Sequence, residues 1–286
     1  MSGMAGCRGD RRWPGCPFGG TIAEVKWDPR QYLRRADERG RPFLDLLGRV
    51  DADNPRCVVD LGCGPGNQTV RLAGRWPAAQ IVGVDSSPEM IAAAKGQSSG
   101  TREPTGGLTF VVGDIARWRP TAETDVVISN AALHWVPGHR DLIRGWAAAL
   151  PSGAWLAFQV PGNFGSPSHR IMAELAASPP WAAALAGVLR HDDAVDEPLG
   201  YARLLLDCGW IPDVWETTYV HLLPGDDVVL EWVRGTGLRP VLATLEPDAG
   251  RHFEAEYAAR LRHAYPRRAE GTLFPFRRIF CVGRKP

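Results

Sequence analysis

Short apolar runs alternate with amphipathic stretches along the first half of the chain. Runs of β-branched and aliphatic residues bounded by glycine, proline or acidic residues are typical of buried strands. We predict such strands over Cys57–Leu61, Gln80–Asp85, Leu108–Val112, Asp125–Ser129 and Ala154–Val160. Helices are predicted between them, over Thr69–Arg75, from an N-cap at Ser87 to Gly96 and over Asp141–Leu150. This order predicts an α/β fold with a parallel sheet and helices on both faces.

The pattern differs at the two ends of the chain. From Thr21 to Val50 apolar residues recur at helical spacing, and after Pro161 the regular alternation stops. In the second half we predict a helix beginning near Pro179, helices over Tyr201–Cys208, Asp226–Arg234 and Arg251–Tyr265, an edge strand over Val214–Leu222 and a final strand over Phe274–Val282. The stretch from 163 to 272 is longer than ordinary connections. We therefore expect it to cap the edge of the sheet where a ligand binds.

Composition and charge exclude several classes of protein. The formal net charge of the 286 residues is +1, so we expect no nucleic-acid or membrane-surface partner. No apolar run approaches the roughly 18–20 residues of a membrane span. The six cysteines form no Cys-x-x-Cys pair, so we expect no metal site and a reduced, cytoplasmic protein.

A glycine-rich turn follows the first predicted strand and carries the most specific chemistry. Asp60 is the next-to-last residue of that strand, and Gly62, Gly64 and Gly66 follow at alternate positions. Glycine is used where φ must be positive or where a side chain would collide with a neighbour or a ligand. An acid at the strand end repels phosphate. The turn therefore favours a neutral, zwitterionic or cationic nucleoside ligand.

Polar residues also follow the next three strands. They are Asp85 with Ser86, Asp114 with Ile115, and Asn130. Ligands of open parallel sheets bind outside the carboxyl ends of the strands. Each of these residues alone is compatible with an ordinary surface turn, but together, in order, they indicate a ligand site. A carboxylate at position 85 suits two ribose hydroxyls, and an acid followed by an aliphatic residue at 114–115 suits an adenine.

These motifs resemble those of the class I S-adenosylmethionine-dependent methyltransferases, over about residues 55–160. The resemblance implies a Rossmann-like, seven-stranded, mostly parallel sheet with a helical cap, and S-adenosylmethionine as co-substrate. It also implies that the glycine turn lies under the methionine part, with Asp85 and Ser86 at the ribose, Asp114 and Ile115 at the adenine and Asn130 near the charged tail. A dehydrogenase fits less well, because its fingerprint is Gly-x-Gly-x-x-Gly and here the third glycine comes one residue early.

A closer resemblance, over residues 26–286, is to the trans-aconitate 2-methyltransferase family. It is carried by Trp27-Asp28-Pro29 with Tyr32 and Arg41, by Asp60–Asn67, by Asn130-Ala131 with Trp135-Val136-Pro137, and by Glu231–Pro240. The resemblance implies methyl transfer to a carboxylate of trans-aconitate or of a related small polycarboxylate. We expect Trp27 and Tyr32 to close over the cofactor from the N-terminal helix, with Tyr32 also at the acceptor. We expect Arg41 to pair with the cofactor's carboxylate.

A carboxylate acceptor changes which catalytic groups are expected. Its pKa near 4 leaves it anionic at neutral pH, so it needs orientation and loss of water rather than a general base. We therefore expect no catalytic acid or base, and arginines that hold the other carboxylates. Of the many arginines in the last third of the chain, we favour Arg239 and Arg277, and we place His134 and Trp135 at the acceptor. The alternative for each is solvation or ordinary packing.

These expectations divide the chain into five parts. They are a disordered tail (1–20), a helical cofactor lid (21–54), the S-adenosylmethionine-binding core (55–162), the substrate cap with remaining core elements (163–272) and the final strand (273–286). The expected partner is a small molecule, and the expected state is a monomer. Two alternatives stay open. One is a methyltransferase for another small-molecule oxygen or nitrogen acceptor, and the other is a non-catalytic protein that binds the cofactor.

Overall fold

Seven strands form one sheet in the computed structural model, which describes residues 36–98, 106–189 and 194–286. In chain order they are β1 (Cys57–Leu61), β2 (Gln80–Asp85), β3 (Leu108–Val112), β4 (Thr124–Asn130), β5 (Trp155–Pro161), β6 (Ile211–Leu223) and β7 (Thr272–Arg284). Their order across the sheet is β3-β2-β1-β4-β5-β7-β6. Strands β1 to β5 are mutually parallel, and β7 is antiparallel to both of its neighbours. The predicted seven-stranded, mostly parallel sheet is confirmed.

Helices cover both faces of this sheet and build the cap. They are α1 (Ala36–Leu47), α2 (Thr69–Arg75), α3 (Pro88–Ser98), α4 (His139–Ala149), α5 (Pro167–Ala176), α6 (Ala182–Leu185), α7 (Pro198–Asp207), α8 (Val228–Arg234), α9 (Arg239–Thr244) and α10 (Pro247–Ala264). The sequence analysis did not predict α5 and α9, which are short and begin at or next to a proline. Among the residues described, no helix has both the length and the apolar character needed to cross a membrane.

Side-chain alternation along the strands separates two hydrophobic layers. Val58 of β1 packs in one layer with Phe43 and Leu46 of α1, whereas its neighbour Val59 packs in the other layer with Trp146 of α4. We call the first side of the sheet the α1 face. Helix α1 therefore belongs to a core layer, although it lies in the segment expected to form a cofactor lid. The lid itself stays a prediction, since residues 21–35 of that segment lie outside the described residues.

A third apolar cluster forms the cap. It joins helices α5, α8, α9 and α10 to the first part of β7 through Trp232, Phe253 and Phe274. Two buried hydroxyls fix α5 within it: Tyr257 donates to the carbonyl of Ser168 (2.9 Å) and Tyr265 accepts from the amide of Ser168 (3.1 Å). Because β7 pairs with β5 only from Arg278 onward, Phe274 lies beyond the carboxyl end of β5. The cap thus stands at the edge where parallel strands present their ligand-binding ends.

Candidate functional site

The glycine turn after β1 has a left-handed backbone at all three glycines. The φ angles are +78° at Gly62, +55° at Gly64 and +81° at Gly66. A Cβ at Gly62 would overlap the Cβ of Ala132, and one at Gly66 would lie 2.8 Å from the Cβ of Ala94. A Cβ at Gly64 would meet nothing within 4 Å. Gly62 and Gly66 are therefore required by packing, and of the three glycines only Gly64 faces open space.

Asp60 is the most buried carboxyl group at this edge. It is 2% exposed, and its Oδ2 accepts a hydrogen bond from the hydroxyl of Thr69 at 2.7 Å. Burial raises the pKa of Asp60 to about 7; the Thr69 hydrogen bond opposes this shift, and the neighbouring Asp85 adds to it. Thr69 begins α2, so this bond fixes the helix that follows the turn. The sequence analysis did not identify Thr69.

Asp85 holds the other side of the same turn. Its Oδ2 accepts from the amide of Gly64 and its Oδ1 from the amide of Ser87, both at 2.9 Å. Burial raises the pKa of Asp85, and these two amides oppose the shift. A carboxylate has about four acceptor positions, so each oxygen can accept a further hydrogen bond. Ser86 is exposed, and Ser87 caps α3 as predicted, since its Oγ accepts from the amide of Met90 at 3.2 Å.

Of the two adjacent residues Asp114 and Ile115, Asp114 is exposed and Ile115 is buried. The Oδ1 of Asp114 accepts from the amide of Ala116 at 2.9 Å and so caps a short 3-10 turn. Ile115 is buried, and its Cδ1 would lie 3.4 Å from a Cβ placed on Gly62. Ile115 therefore supplies apolar surface directly beside the glycine turn.

A hydrogen-bonded chain that the sequence analysis missed crosses the ends of three strands. The amide nitrogen of Gln159 donates to Oδ1 of Asn130 at 2.6 Å, and Nη1 of Arg278 donates to Oε1 of Gln159 at 3.3 Å. Arg278 is 7% exposed and Gln159 is 1% exposed. A signal for both was present, because each interrupts an otherwise apolar strand. Such buried polar residues need partners, and these side chains partner each other at the carboxyl ends of β4 and β5.

The polar side chains at the carboxyl edge lie on one face of the sheet, because side chains along a strand point alternately to its two faces. Asp60 continues the row of Val58, and Asn130 continues the row of Val126 and Ile128, all on the α1 face. Three further side chains lie on that face, because each is an even number of positions along its strand from a residue that packs there. The pairs are Asp85 with Ile81, Gln159 with Ala157, and Arg278 with Phe280. The predicted residues Asp60, Asp85 and Asn130 thus share one face and one edge of the sheet, and Gln159 and Arg278 lie on the same face and edge.

Arg277 is not brought to this group. Its side chain lies on the opposite face from Arg278, where Nη1 donates to Glu197 at 3.1 Å and Nε donates to Glu216 at 3.0 Å. These two carboxylates raise the pKa of Arg277. The expectation that Arg277 grips the acceptor therefore needs correction: adjacent strand residues point to opposite faces, and Arg278 is the one on the α1 face.

The remaining predicted residues occupy other positions. His134 is buried in a 3-10 turn after β4, with its ring centroid 4.8 Å from that of the half-buried Trp135. Arg239 begins α9 in the cap. Arg41 lies on α1 with its guanidinium 5.1 Å from the ring centroid of Tyr219. Trp27 and Tyr32 lie outside the described residues.

Several backbone amides of the loop after α8 donate to carbonyl groups of the same segment. The amides of Thr236 and Leu238 both donate to the carbonyl of Val233, at 3.0 and 2.9 Å. The amide of Arg239 donates to the carbonyl of Thr236 at 3.3 Å. These bonds close the end of α8, so these amides are not directed at a ligand.

Comparison with known proteins decides the family. Residues 58–153 match the family described as "Methyltransferase domain". The trans-aconitate 2-methyltransferase of Streptomyces coelicolor is 58% identical over 265 residues, which cover 91% of this chain and 87% of that protein. Proteins of the same name from Streptomyces avermitilis (92% of this chain, 98% of that one) and Rhodococcus jostii (90% and 99%) are each 54% identical. The chain belongs to the trans-aconitate 2-methyltransferase family.

Solved structures support the fold of this trans-aconitate 2-methyltransferase family member. Phosphoethanolamine N-methyltransferase 2 of Haemonchus contortus, in complex with S-adenosyl-L-methionine, matches 90% of this chain and 57% of its own with a TM-score of 0.53 and 15% identity. The YcgJ protein of Bacillus subtilis matches 87% of this chain and 98% of its own with a TM-score of 0.52 and 13% identity. At these identities the similarity establishes the class I methyltransferase fold alone.

The two glycines at the start of the turn give a test of its packing. Gly62→Ala should lose about 2 kcal/mol or more of unfolding free energy relative to Gly64→Ala, because only the first Cβ overlaps Ala132. Both variants carry a similar cost for an alanine at positive φ, so their difference isolates the collision. Urea denaturation of the two variants measures it. Equal stabilities would contradict the packing assigned to Gly62.

The raised pKa of Asp60 predicts a pH dependence of stability. The folded chain holds this proton up to about pH 7, whereas the unfolded chain releases it near pH 3.8. The resulting stabilisation is complete below about pH 4 and is lost as pH rises through 7. Asp60→Asn keeps the shape without the titration. The variant should therefore gain stability relative to wild type between pH 5 and 8, as measured by urea denaturation at each pH. A constant difference would show that Asp60 has an ordinary pKa.

Proposed function

We propose that the chain transfers the methyl group of S-adenosylmethionine to a carboxylate of trans-aconitate, giving a monomethyl ester and S-adenosylhomocysteine. The observation that carries this proposal is the 58% identity to a trans-aconitate 2-methyltransferase over 91% of the chain. The aligned 265 residues include most of the cap as well as most of the core. The proposal therefore concerns the acceptor and not only the cofactor.

The residues at the carboxyl edge suit this co-substrate. S-Adenosylmethionine, when bound, supplies a methyl group that is activated by the positive charge on its sulfur. Asp60 and Asp85 place two carboxyl groups at this edge, and a cationic ligand would favour their ionised forms; Gly64 leaves room above the turn. Asp85 has acceptor capacity for ribose hydroxyls, and Ile115 offers apolar surface for a flat ring. We propose that Ser86, Asp114 and Asn130 complete the cofactor site, with Arg41 and Trp27 from the N-terminal segment.

The acceptor requires positioning rather than deprotonation. A carboxylic acid with a pKa near 4 is already a nucleophilic anion at neutral pH. The chain has to hold one carboxylate in line with the methyl group and to exclude water from it. We propose that His134 and Trp135 wall this region, because they directly follow β4, and that Tyr32 and Arg239 contribute from the N-terminal segment and the cap. A small-molecule acceptor, a monomeric state and a cytoplasmic location belong to the same proposal.

The activity is tested with methyl-labelled cofactor. Incubation of the full chain with labelled S-adenosylmethionine and trans-aconitate should give a labelled product that releases methanol in base, because methyl esters hydrolyse there and methyl ethers and amines do not. A reaction without acceptor is the control for self-methylation. Transfer to a phenol or an amine, with none to trans-aconitate, would contradict the proposed acceptor but leave the methyltransferase assignment intact.

A further inference from the structure

A cluster of charged and aromatic side chains lies on the α1 face between α1 and the antiparallel end of the sheet. At its centre the hydroxyl of Tyr219, in β6, donates to Oδ2 of Asp45, in α1, at 2.5 Å. Arg41, one turn earlier in α1, lies over the Tyr219 ring with 5.1 Å from its Cζ to the ring centroid. Tyr219 pairs in register with Phe276 of β7. The cluster therefore joins α1 to both strands at the edge where the parallel strands end.

Arg278 is the buried cation of this cluster. It follows Phe276 by two positions on β7, so both side chains are on the α1 face, and its Cζ lies 4.5 Å from the Phe276 ring centroid. Its Nη1 donates to Gln159, which donates in turn to Asn130. Both of these bonds lie along the carboxyl ends of β4 and β5. Arg278 thus links the part of β7 next to the cap to β4, the strand that precedes His134 and Trp135.

The charges around Tyr219 favour an anionic ligand. Two guanidinium groups, those of Arg41 and Arg278, act on this ring together with one carboxylate, that of Asp45. The local sum is positive, whereas the neighbouring glycine turn carries the two acids Asp60 and Asp85. On the α1 face, the carboxyl edge is therefore acidic at β1 and β2 and basic at β6 and β7. This division suits the cofactor's sulfonium near the acids and a carboxylate, of the acceptor or of the cofactor's methionine part, near the arginines.

We propose that Arg278 binds a carboxylate of the acceptor that is not methylated, with Gln159 and Asn130 fixing the orientation of its guanidinium. This inference rests on the proposed function and names the residue that recognises the acceptor. Arginine presents a planar fork of donors that matches the two oxygens of a carboxylate. The cation–π contact with Phe276 holds that fork in place without consuming its hydrogen-bond donors.

A carboxylate at this position has two possible sources. One is the acceptor, and the other is the methionine part of the cofactor. The two are separated by measuring the affinity for each ligand in the same variant. The acceptor assignment predicts that a change at Arg278 weakens binding of trans-aconitate and leaves binding of S-adenosylmethionine within about threefold of wild type.

The experiment compares Arg278→Met, Arg278→Lys and the matched control Arg277→Met in the full chain. The two arginines are adjacent, but Arg277 faces the other side and pairs with Glu197 and Glu216. Calorimetry measures the Kd of S-adenosylmethionine alone, and of trans-aconitate with the chain saturated by S-adenosylhomocysteine. Arg278→Met should weaken trans-aconitate binding by roughly 30-fold or more. Arg278→Lys should weaken it by roughly fivefold or more, because an ammonium lacks the fork, and Arg277→Met should leave it within about threefold.

The outcomes separate this inference from the proposed function. Unchanged trans-aconitate binding in Arg278→Met, an equal loss in Arg277→Met, or a loss confined to S-adenosylmethionine would each overturn the assignment of Arg278. If Arg278→Met does not fold, as judged by circular dichroism, the lysine variant decides on the same criteria. A wild-type chain that binds trans-aconitate through Arg278 but transfers no methyl group to it would overturn the proposed function alone.

Discussion

The ligand edge of this protein depends on two acids, the buried Asp60 and the half-buried Asp85, that hold one glycine turn. Asp85 accepts from the amide of Gly64, and Asp60 accepts from the hydroxyl of Thr69, so the turn and the helix after it are fixed from both sides. Burying two carboxyl groups so close to each other is unfavourable for their charged forms. Burial raises the pKa of both groups. A positively charged ligand above the turn would favour their ionised forms. The arrangement is thus complementary to a sulfonium and poorly suited to a phosphate.

The same sheet carries the opposite charge at its other end. Because β7 is antiparallel to β5, its first residues lie at the carboxyl edge and bring Arg278 next to Gln159 and Asn130. Residues from positions 60 to 278 are thereby gathered on one face by strand order and alternation alone. Under the proposed function, cofactor and acceptor would be distinguished by charge: acids lie at β1 and β2, and arginines lie around Tyr219. No catalytic base is needed for an acceptor that is already an anion.

Much of this could be predicted from the sequence, and the remainder depends on tertiary contacts. The bounds of β1, β2, β3 and α2 were predicted to the residue, because the strands are short apolar runs and local signals such as Gly62 and Pro77 mark where an element ends. Asp60, Asp85 and Asn130 were predicted because each lies at or next to the end of a strand. Gln159 and Arg278 were missed, since their partnership links distant strands. Which of the two arginines lies on the α1 face depends only on which alternate residues of β7 point to that face. The sequence Phe276-Arg277-Arg278-Ile279 leaves this undetermined.

An NMR titration of the Asp60 carboxyl carbon shows whether Asp60 is complementary to a cationic cofactor. The titration is run on the free chain, with S-adenosylmethionine and with S-adenosylhomocysteine, which differ by the methyl group and the charge on sulfur. Complementarity requires a pKa of about 7 in the free chain, a clear fall with S-adenosylmethionine and a smaller fall with S-adenosylhomocysteine. An ordinary pKa near 3.8 in the free chain, or the same pKa with both ligands, would contradict it.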